Sequence, residues 1–261
     1  LLIGHTLVAL CLGHSSPYYL GCAANPALLW SKTLVEEVRQ NGEALSQCRS
    51  MPAPLDARQH SPATLRNRES ILAVLQAVLP PTGTVLEISS GTGEHAVYFA
   101  PRLQPRQWLP SDPNPIARAS IAAWQEEMPS ENLHPPISLD VRDSVWAVEQ
   151  DEAKRYEPIW AIANINMIHI SPWAACLGLI AGAERILPKG GVLYLYGPFK
   201  QNHEHTAPSN AQFDHSLQQQ NPEWGVRDLE AVIAVAEAQN LTLLKTVAMP
   251  ANNLSVVFQR L

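Results

Sequence analysis

The run Glu87-Ile88-Ser89-Ser90-Gly91-Thr92-Gly93 concentrates the chemistry of this sequence. It follows a short apolar stretch from Thr84 to Ser89, suited to a buried strand, and leads into helical spacing from Glu94 to Leu103. Gly91 and Gly93 can adopt backbone angles that other residues avoid, so a ligand can approach the main chain. The helix that opens near Glu94 brings unpaired N–H groups to the same place. A pyrophosphate cradle wants a third small residue, and Ala96 stands there. Glu87, however, lies inside the end of the strand. An acid there repels a pyrophosphate and suits a cationic amino group, which moves the turn from NAD toward S-adenosylmethionine.

Polar residues recur after the later apolar runs. Asp112 ends the run from Gln107 to Ser111, where a carboxylate can accept from ribose hydroxyls. Asp140 follows Ile137 to Leu139, where it can accept from an adenine amino group. Either acid can instead be a turn or capping residue. The stretch Asn164-Ile165-Asn166-Met167-Ile168-His169 closes the run from Ile159 to Asn166. Asn164 and Asn166 can orient a heteroatom, and His169 can accept a proton. The alternatives are a loop histidine at His169 and a helix cap at Ser171.

The elements that must place these residues alternate. A helix opens at Ser61-Pro62 and runs to Leu79, with serine at the cap and proline in the first turn. Further helices are expected over Pro115 to Glu127, Ser144 to Glu149, Trp173 to Leu187 and Val226 to Gln239. Strands are expected at Val192 to Tyr196, Leu243 to Ala248 and Ser255 to Gln259, the last two as an antiparallel hairpin. Residues 198–224 show little periodicity and read as a lid-like insertion. The whole predicts an α/β, Rossmann-like, mostly parallel seven-stranded sheet with helices on both faces.

Bulk properties bound the reading. The chain has 261 residues, 46% of them hydrophobic, and a formal net charge of −6. A nucleic-acid partner is therefore not expected. Residues 1–55 are expected to be an N-terminal extension and residues 56–261 the core domain. The apolar start, Leu1 to Leu12, is too short for a membrane span and lacks the basic segment of a secretory signal. Cys11, Cys22, Cys48 and Cys176 form no CxxC pair, so a reducing, cytoplasmic setting is expected, with Cys176 a buried thiol in an apolar helix. His203-Glu204-His205 is spaced too closely for a helical metal pair, so no metal is expected.

Taken together, Arg58-Gln59-His60-Ser61-Pro62, Arg66-Asn67-Arg68-Glu69, the turn through Glu94-His95, Pro110-Ser111-Asp112, Asn166 to Trp173, Gly197-Pro198-Phe199-Lys200, Phe213-Asp214 and Pro222 to Asp228 resemble the uncharacterised family that includes methyltransferase-like protein 26. The resemblance covers about residues 56–261. It implies a class I, S-adenosylmethionine-dependent methyltransferase fold and leaves the acceptor open. Ser89 departs from the glycine that many methyltransferases carry there. On this resemblance the cofactor contacts are Asn67, Glu87, Ser89, Gly91, Gly93, His95, Asp112, Asp140 and Asn164. Asn166, His169 and Asp214 are the candidates to align or deprotonate an O- or N-nucleophile on a small molecule. Two rivals stay open: an NAD-dependent oxidoreductase, and a non-catalytic S-adenosylmethionine-binding protein that acts through a partner.

Overall fold

A computed structural model describes residues 56–150 and 156–261 of the chain. The expected extension, with Cys11, Cys22 and Cys48, lies outside the described residues. In chain order the main elements are α1 (Pro62–Val78), β1 (Thr84–Ile88), α2 (Glu94–Phe99), β2 (Gln107–Ser111), α3 (Pro115–Glu127), β3 (Ile159–Ile165), α4 (Trp173–Ile186) and β4 (Val192–Gly197). They are followed by β5 (Phe199–Gln201), β6 (Glu204–His205), α5 (Pro208–Gln220), β7 (Arg227–Asp228), α6 (Leu229–Ala238), β8 (Leu241–Met249) and β9 (Asn253–Arg260).

The main sheet has six strands in the order β2-β1-β3-β4-β9-β8. β1 to β4 run parallel. β9 runs antiparallel to both β4 and β8, as the expected C-terminal hairpin requires. The expectation of seven strands is corrected. Ile137 to Leu139 forms no strand; the segment touches β2 only through isolated bridges at Leu133 and Ile137. His134 N–H still donates to Trp108 O at 2.9 Å and Ile137 N–H to Pro110 O at 3.0 Å. Between them stand Pro135 and Pro136, which have no N–H to continue a ladder and a fixed φ.

Alternation along the strands builds two cores. Leu86, Ile88, Ile162, Leu193, Leu195, Val256 and Phe258 face α4 and α6, where Cys176, Leu179 and Val232 meet them. Val85, Trp108, Ala161, Ala163, Tyr194 and Val257 face α1 and α2, where Ile71, Leu75, Val97 and Phe99 meet them. The period of two along each strand sends neighbours to opposite faces, so a strand buried on both sides reads as a continuous apolar run. Cys176 is fully buried, as expected, and burial pushes its thiol up to about 12.

Several boundaries move for local reasons. Ser61 does stand at the cap of α1, but its side chain makes no capping bond; its N–H donates to Glu94 Oε2 at 2.6 Å. The helix expected from Glu94 to Leu103 stops at Phe99 and continues as a 3-10 turn over Ala100–Arg102, where Pro101 sits. The helix expected over Ser144 to Glu149 is a single 3-10 turn, Ala147–Glu149. The largest correction is residues 198–224. They hold β5, β6 and α5, and with β7 make a second sheet in the order β6-β5-β7. The expected helix from Val226 begins only at Leu229, because Arg227 and Asp228 pair with β5 first.

Trp146 is 1% exposed and sits over Gly182 of α4, where a Cβ would overlap its indole ring. Gly182→Ala is therefore expected to destabilise. Overpacking costs ~1–3 kcal/mol, against the ~1 kcal/mol that alanine gains over glycine in a helix. Thermal melting should show a fall of several degrees, and an unchanged or raised Tm would refute the packing argument.

Candidate functional site

The expected turn residues come together at the carboxyl ends of β1 and β2, the place where open α/β sheets bind ligands. Ser89, Gly91 and Gly93 all have positive φ, at 55°, 57° and 90°. Ser89 thus holds a left-handed conformation that glycine would take more easily. Gly91 has open space where a side chain would be, while a Cβ on Gly93 would come within 2.7 Å of Ile121 Cα. The first glycine leaves room above the turn; the second lets α2 and α3 pack.

A polar network fixes this geometry. Ser90 N–H donates to Ser111 O at 2.9 Å, and Ser111 N–H to Ser90 Oγ at 3.1 Å. The Ser111 hydroxyl donates to Glu87 O at 2.7 Å. Asp112 accepts from Gly91 N–H at 3.0 Å through Oδ2 and from Asn114 N–H at 2.9 Å through Oδ1. Each of its oxygens keeps a second lone pair. The Glu87 carboxyl is 2% exposed and accepts from Trp108 Nε1 at 3.0 Å. Burial pushes it up to about 7, against the bonds from Trp108 and Ser90.

Asn164 stands one residue before the end of β3, beside the turn and paired in register with Ile88. Its Nδ2 donates to Ile88 O at 3.1 Å, while its fully buried Oδ1 has no partner. Asp140 reaches the same end of the sheet. It lines a cleft of 170 Å³ with Ser89, Leu139, Val141, Met167 and Ala175. Its carboxylate is gripped by the Arg142 guanidinium at 2.6 Å, which holds it below the ordinary carboxylate value.

α1 lays Asn67 across the opposite side. Asn67 Oδ1 accepts from His95 Nε2 at 2.9 Å. The imidazole stacks on Phe99, and burial, helped by the nearby Arg68 charge, holds it down at about 4. Arg68 lies over the Tyr98 ring at 4.4 Å, with its buried Nε unpartnered. Beyond Asn67 a larger cleft of 420 Å³ is lined by Arg66, Asn166, Tyr196, Phe213 and residues of the β8–β9 turn.

Of the three candidates for alignment or proton transfer, only Asn166 faces this cleft. His169 is fully buried against Gly197 and Phe199. Its Nδ1 accepts from Arg227 N–H at 3.3 Å, and burial lowers its pKa to about 3. The structure makes it a neutral strut for the small sheet rather than a proton acceptor. Asp214 is engaged on both oxygens: Val226 N–H at 2.8 Å on one, Lys200 Nζ at 3.0 Å and His205 Nε2 at 3.2 Å on the other. Burial opposes its ionisation, but Lys200 and the backbone donor outweigh that and hold it low. It fastens α5 to the small sheet. Tyr196 was missed. The rule that strand ends carry function, applied to Asp112 and Asn164, would have found it on the fourth strand.

Glu87 also sets a pH test. In the unfolded chain it ionises near 4.5, and in the fold near 7. Below pH 4.5 both states are protonated and its contribution is fully present; it is lost as pH rises toward 7. Glu87→Gln keeps the acceptor for Trp108 and removes the ionisation. Its Tm, relative to the parent protein, should rise between pH 4.5 and 7 and level off above. Parallel Tm–pH curves would contradict a carboxyl whose burial outweighs its hydrogen bonds.

Solved structures share this architecture. The mitomycin 7-O-methyltransferase MmcR superposes with a TM-score of 0.62 at 11% identity, over 88% of this chain and 60% of that one. An O-methyltransferase family protein from Burkholderia thailandensis gives 0.61 at 14% identity, over 87% and 70%. CalO1, a methyltransferase of calicheamicin biosynthesis in its SAH-bound form, gives 0.57 at 12%, over 88% and 58%. The chain thus spans about three fifths of the length of MmcR and CalO1. The fold is that of the class I methyltransferases, with the sheet one strand short. Over residues 58–260 the sequence matches the family described as a protein of unknown function (DUF938), and the chain belongs to it.

Proposed function

We propose that this chain is an S-adenosylmethionine-dependent methyltransferase acting on an O- or N-nucleophile of a small molecule. One observation carries the reading: Asn164 Oδ1 is buried beside the open turn with no donor to satisfy it. A buried acceptor without a partner costs ~1–3 kcal/mol, and an ammonium group is the donor that would recover it. Glu87 adds a second acceptor on β1 that would ionise beside such a cation. Both arguments favour a cationic amino acid end over a pyrophosphate.

The remaining roles follow from position. Asp112 would accept from ribose hydroxyls with its spare lone pairs while its bond to Gly91 holds the turn open. The apolar walls of Leu139, Val141, Met167 and Ala175 suit a flat base, with Asp140 at the rim. When bound, the cofactor supplies an electrophilic methyl group and a neutral leaving group. The protein aligns the acceptor: Asn166 and Tyr196 stand at the carboxyl ends of β3 and β4, and α5 with Phe213 narrows the cleft above them. The net charge of −6 favours a small-molecule acceptor over nucleic acid. Among the described residues no helix is long and apolar enough to cross a membrane. Kinship with methyltransferase-like protein 26 and a cytoplasmic location belong to the same proposal.

Thermal shift and titration calorimetry test it. S-adenosylhomocysteine should stabilise the protein by about 2.7 kcal/mol at a hundredfold excess over Kd, and NAD should not. Asp112→Ala should weaken that binding roughly ten- to hundredfold, the equivalent of a lost hydrogen bond to a charged group. No stabilisation by S-adenosylhomocysteine, or equal stabilisation by NAD, would overturn the assignment.

A further inference from the structure

The larger cleft has a chemical polarity that names a class of acceptor. Its direction is set by a hydrogen-bonded chain that starts at His95. Asn67 Oδ1 can only accept, so His95 Nε2 must carry the proton in their 2.9 Å contact. Asn67 also interacts with the Tyr196 hydroxyl, and since that interaction lowers the phenol's pKa, it is the amide N–H that faces the phenol oxygen. Tyr196 therefore accepts from Asn67, and its own O–H proton is left to donate. The direction does not depend on the charge of His95, since Nε2 carries a proton in the imidazolium too; burial holds the ring neutral throughout the physiological range.

Arg66, the Asn67 amide and the Tyr196 hydroxyl thus bring donors to the part of the cleft beside α1. Arg66 is exposed on α1, one residue before Asn67, and makes no ion pair or hydrogen bond among the described residues. No carboxylate lines the cleft. The rest of the lining mixes apolar surface, from Ala63, Pro198, Pro250 and the Phe213 ring, which is 38% exposed, with the neutral polar groups of Asn166, Ser209, Asn210 and Asn253. A cation and an O–H donor in one cleft with aromatic and aliphatic surface, and no carboxylate, complement a ligand that carries an oxyanion on an apolar body.

We propose that the acceptor is a small apolar acid, its carboxylate or phosphate held by Arg66 and the Tyr196 hydroxyl, and its body resting against Phe213. This rests on the methyltransferase reading, since that reading makes the cleft an acceptor site. Arg66 and Tyr196 then determine specificity; they fix which end of the acceptor faces α1 and which faces the methyl donor.

The experiment uses the full chain saturated with S-adenosylhomocysteine, probed by thermal shift and calorimetry. Benzoate and phenyl phosphate are the anionic probes, benzamide and benzyl alcohol their neutral counterparts. The anions should bind and the neutral compounds should not, and the tighter of the two anions names the headgroup. Arg66→Gln and Tyr196→Phe should each weaken anion binding tenfold or more, with less than a twofold change in the Kd of S-adenosylhomocysteine. Arg66 is exposed, so its variant should melt like the parent protein without ligand. Equal binding of benzamide and benzoate, or no binding of either anion, overturns the proposal. So does an Arg66→Gln variant that loses S-adenosylhomocysteine affinity while 5′-methylthioadenosine, which lacks the amino acid end, binds unchanged. That result would make the cofactor's own carboxylate the anion at Arg66. Failure of S-adenosylhomocysteine to bind the parent protein would instead strike the methyltransferase reading. Arg66-dependent binding of benzoate alone would still support the acid-selective cleft.

Discussion

The rest of the site depends on how the carboxyl ends of β1 and β2 are tied together. Parallel strands stop with main-chain groups that no neighbour satisfies, and a buried unsatisfied group costs as much as a lost hydrogen bond. Here the tie is made by short side chains. Ser111 Oγ donates to Glu87 O, Ser90 Oγ accepts from Ser111 N–H, and Asp112 Oδ2 accepts from Gly91 N–H. Three backbone groups are satisfied without a residue bulky enough to fill the space above Gly91. Longer side chains could make the same bonds only by closing the turn. The small residues at Ser89, Ser90 and Gly91 are thus one solution to two demands: pairing the strand ends and leaving them open to a ligand.

What the sequence revealed, and what it hid, follows from the range of the forces. β2 and α3 match their expected limits because the signals are local: Ser111-Asp112-Pro113-Asn114-Pro115 ends one and opens the other, and Asn114 Oδ1 accepts from Ile116 N–H as a cap. The turn was legible for the same reason. The small sheet was not. β5, β6 and β7 are two or three residues each, too short to show a period, and they exist because Asp214, His169 and Arg227 fasten them from distant parts of the chain. α5 also hid: it buries only Asn210, Asp214 and Leu217, so its apolar stripe is broken by two polar residues. The missing edge strand was misread because two prolines in a row leave an extended backbone in place and remove its ladder.

His169 and Asp214 show how residue type can mislead about role. Both are buried titratable groups beside the cleft, which is where catalytic groups are sought. The difference lies in what the polar atoms already hold. The main chain of His169 accepts Gly225 N–H at 2.9 Å and its Nδ1 accepts Arg227 N–H, while the unpartnered Nε2 is packed against Gly197 and away from the cleft. Asp214 is satisfied by the Val226 N–H, the Lys200 ammonium and the His205 ring nitrogen. Their type was visible in the sequence; their partners come from β5, β6 and the start of β7, none of which was expected. Asn164 differs in where its bare atom lies, at the carboxyl end of β3 beside the open turn. Its neighbours satisfy its amide nitrogen and leave its oxygen bare.

This division bears on how such a site can work. Asp140 is held by Arg142, Asp214 by Lys200 and His205, and His95 by Asn67; the buried His169 ring is neutral and walled in. Of the titratable groups around the larger cleft, the Tyr196 hydroxyl and Arg66 are the ones left facing it with polar capacity to spare. Neither is suited to take a proton at neutral pH: burial raises the phenol above its ordinary value, and a guanidinium has no lone pair to offer. A pocket built this way contributes by placing its ligand rather than by proton transfer. Orientation alone can be worth ~7–11 kcal/mol when two reactants are held in line, which is large enough to carry a transfer whose electrophile already bears its own leaving group. The acceptor's own nucleophile must then be one that ionises or loses its proton without help from the chain, which favours acidic hydroxyls and uncharged amines over aliphatic alcohols.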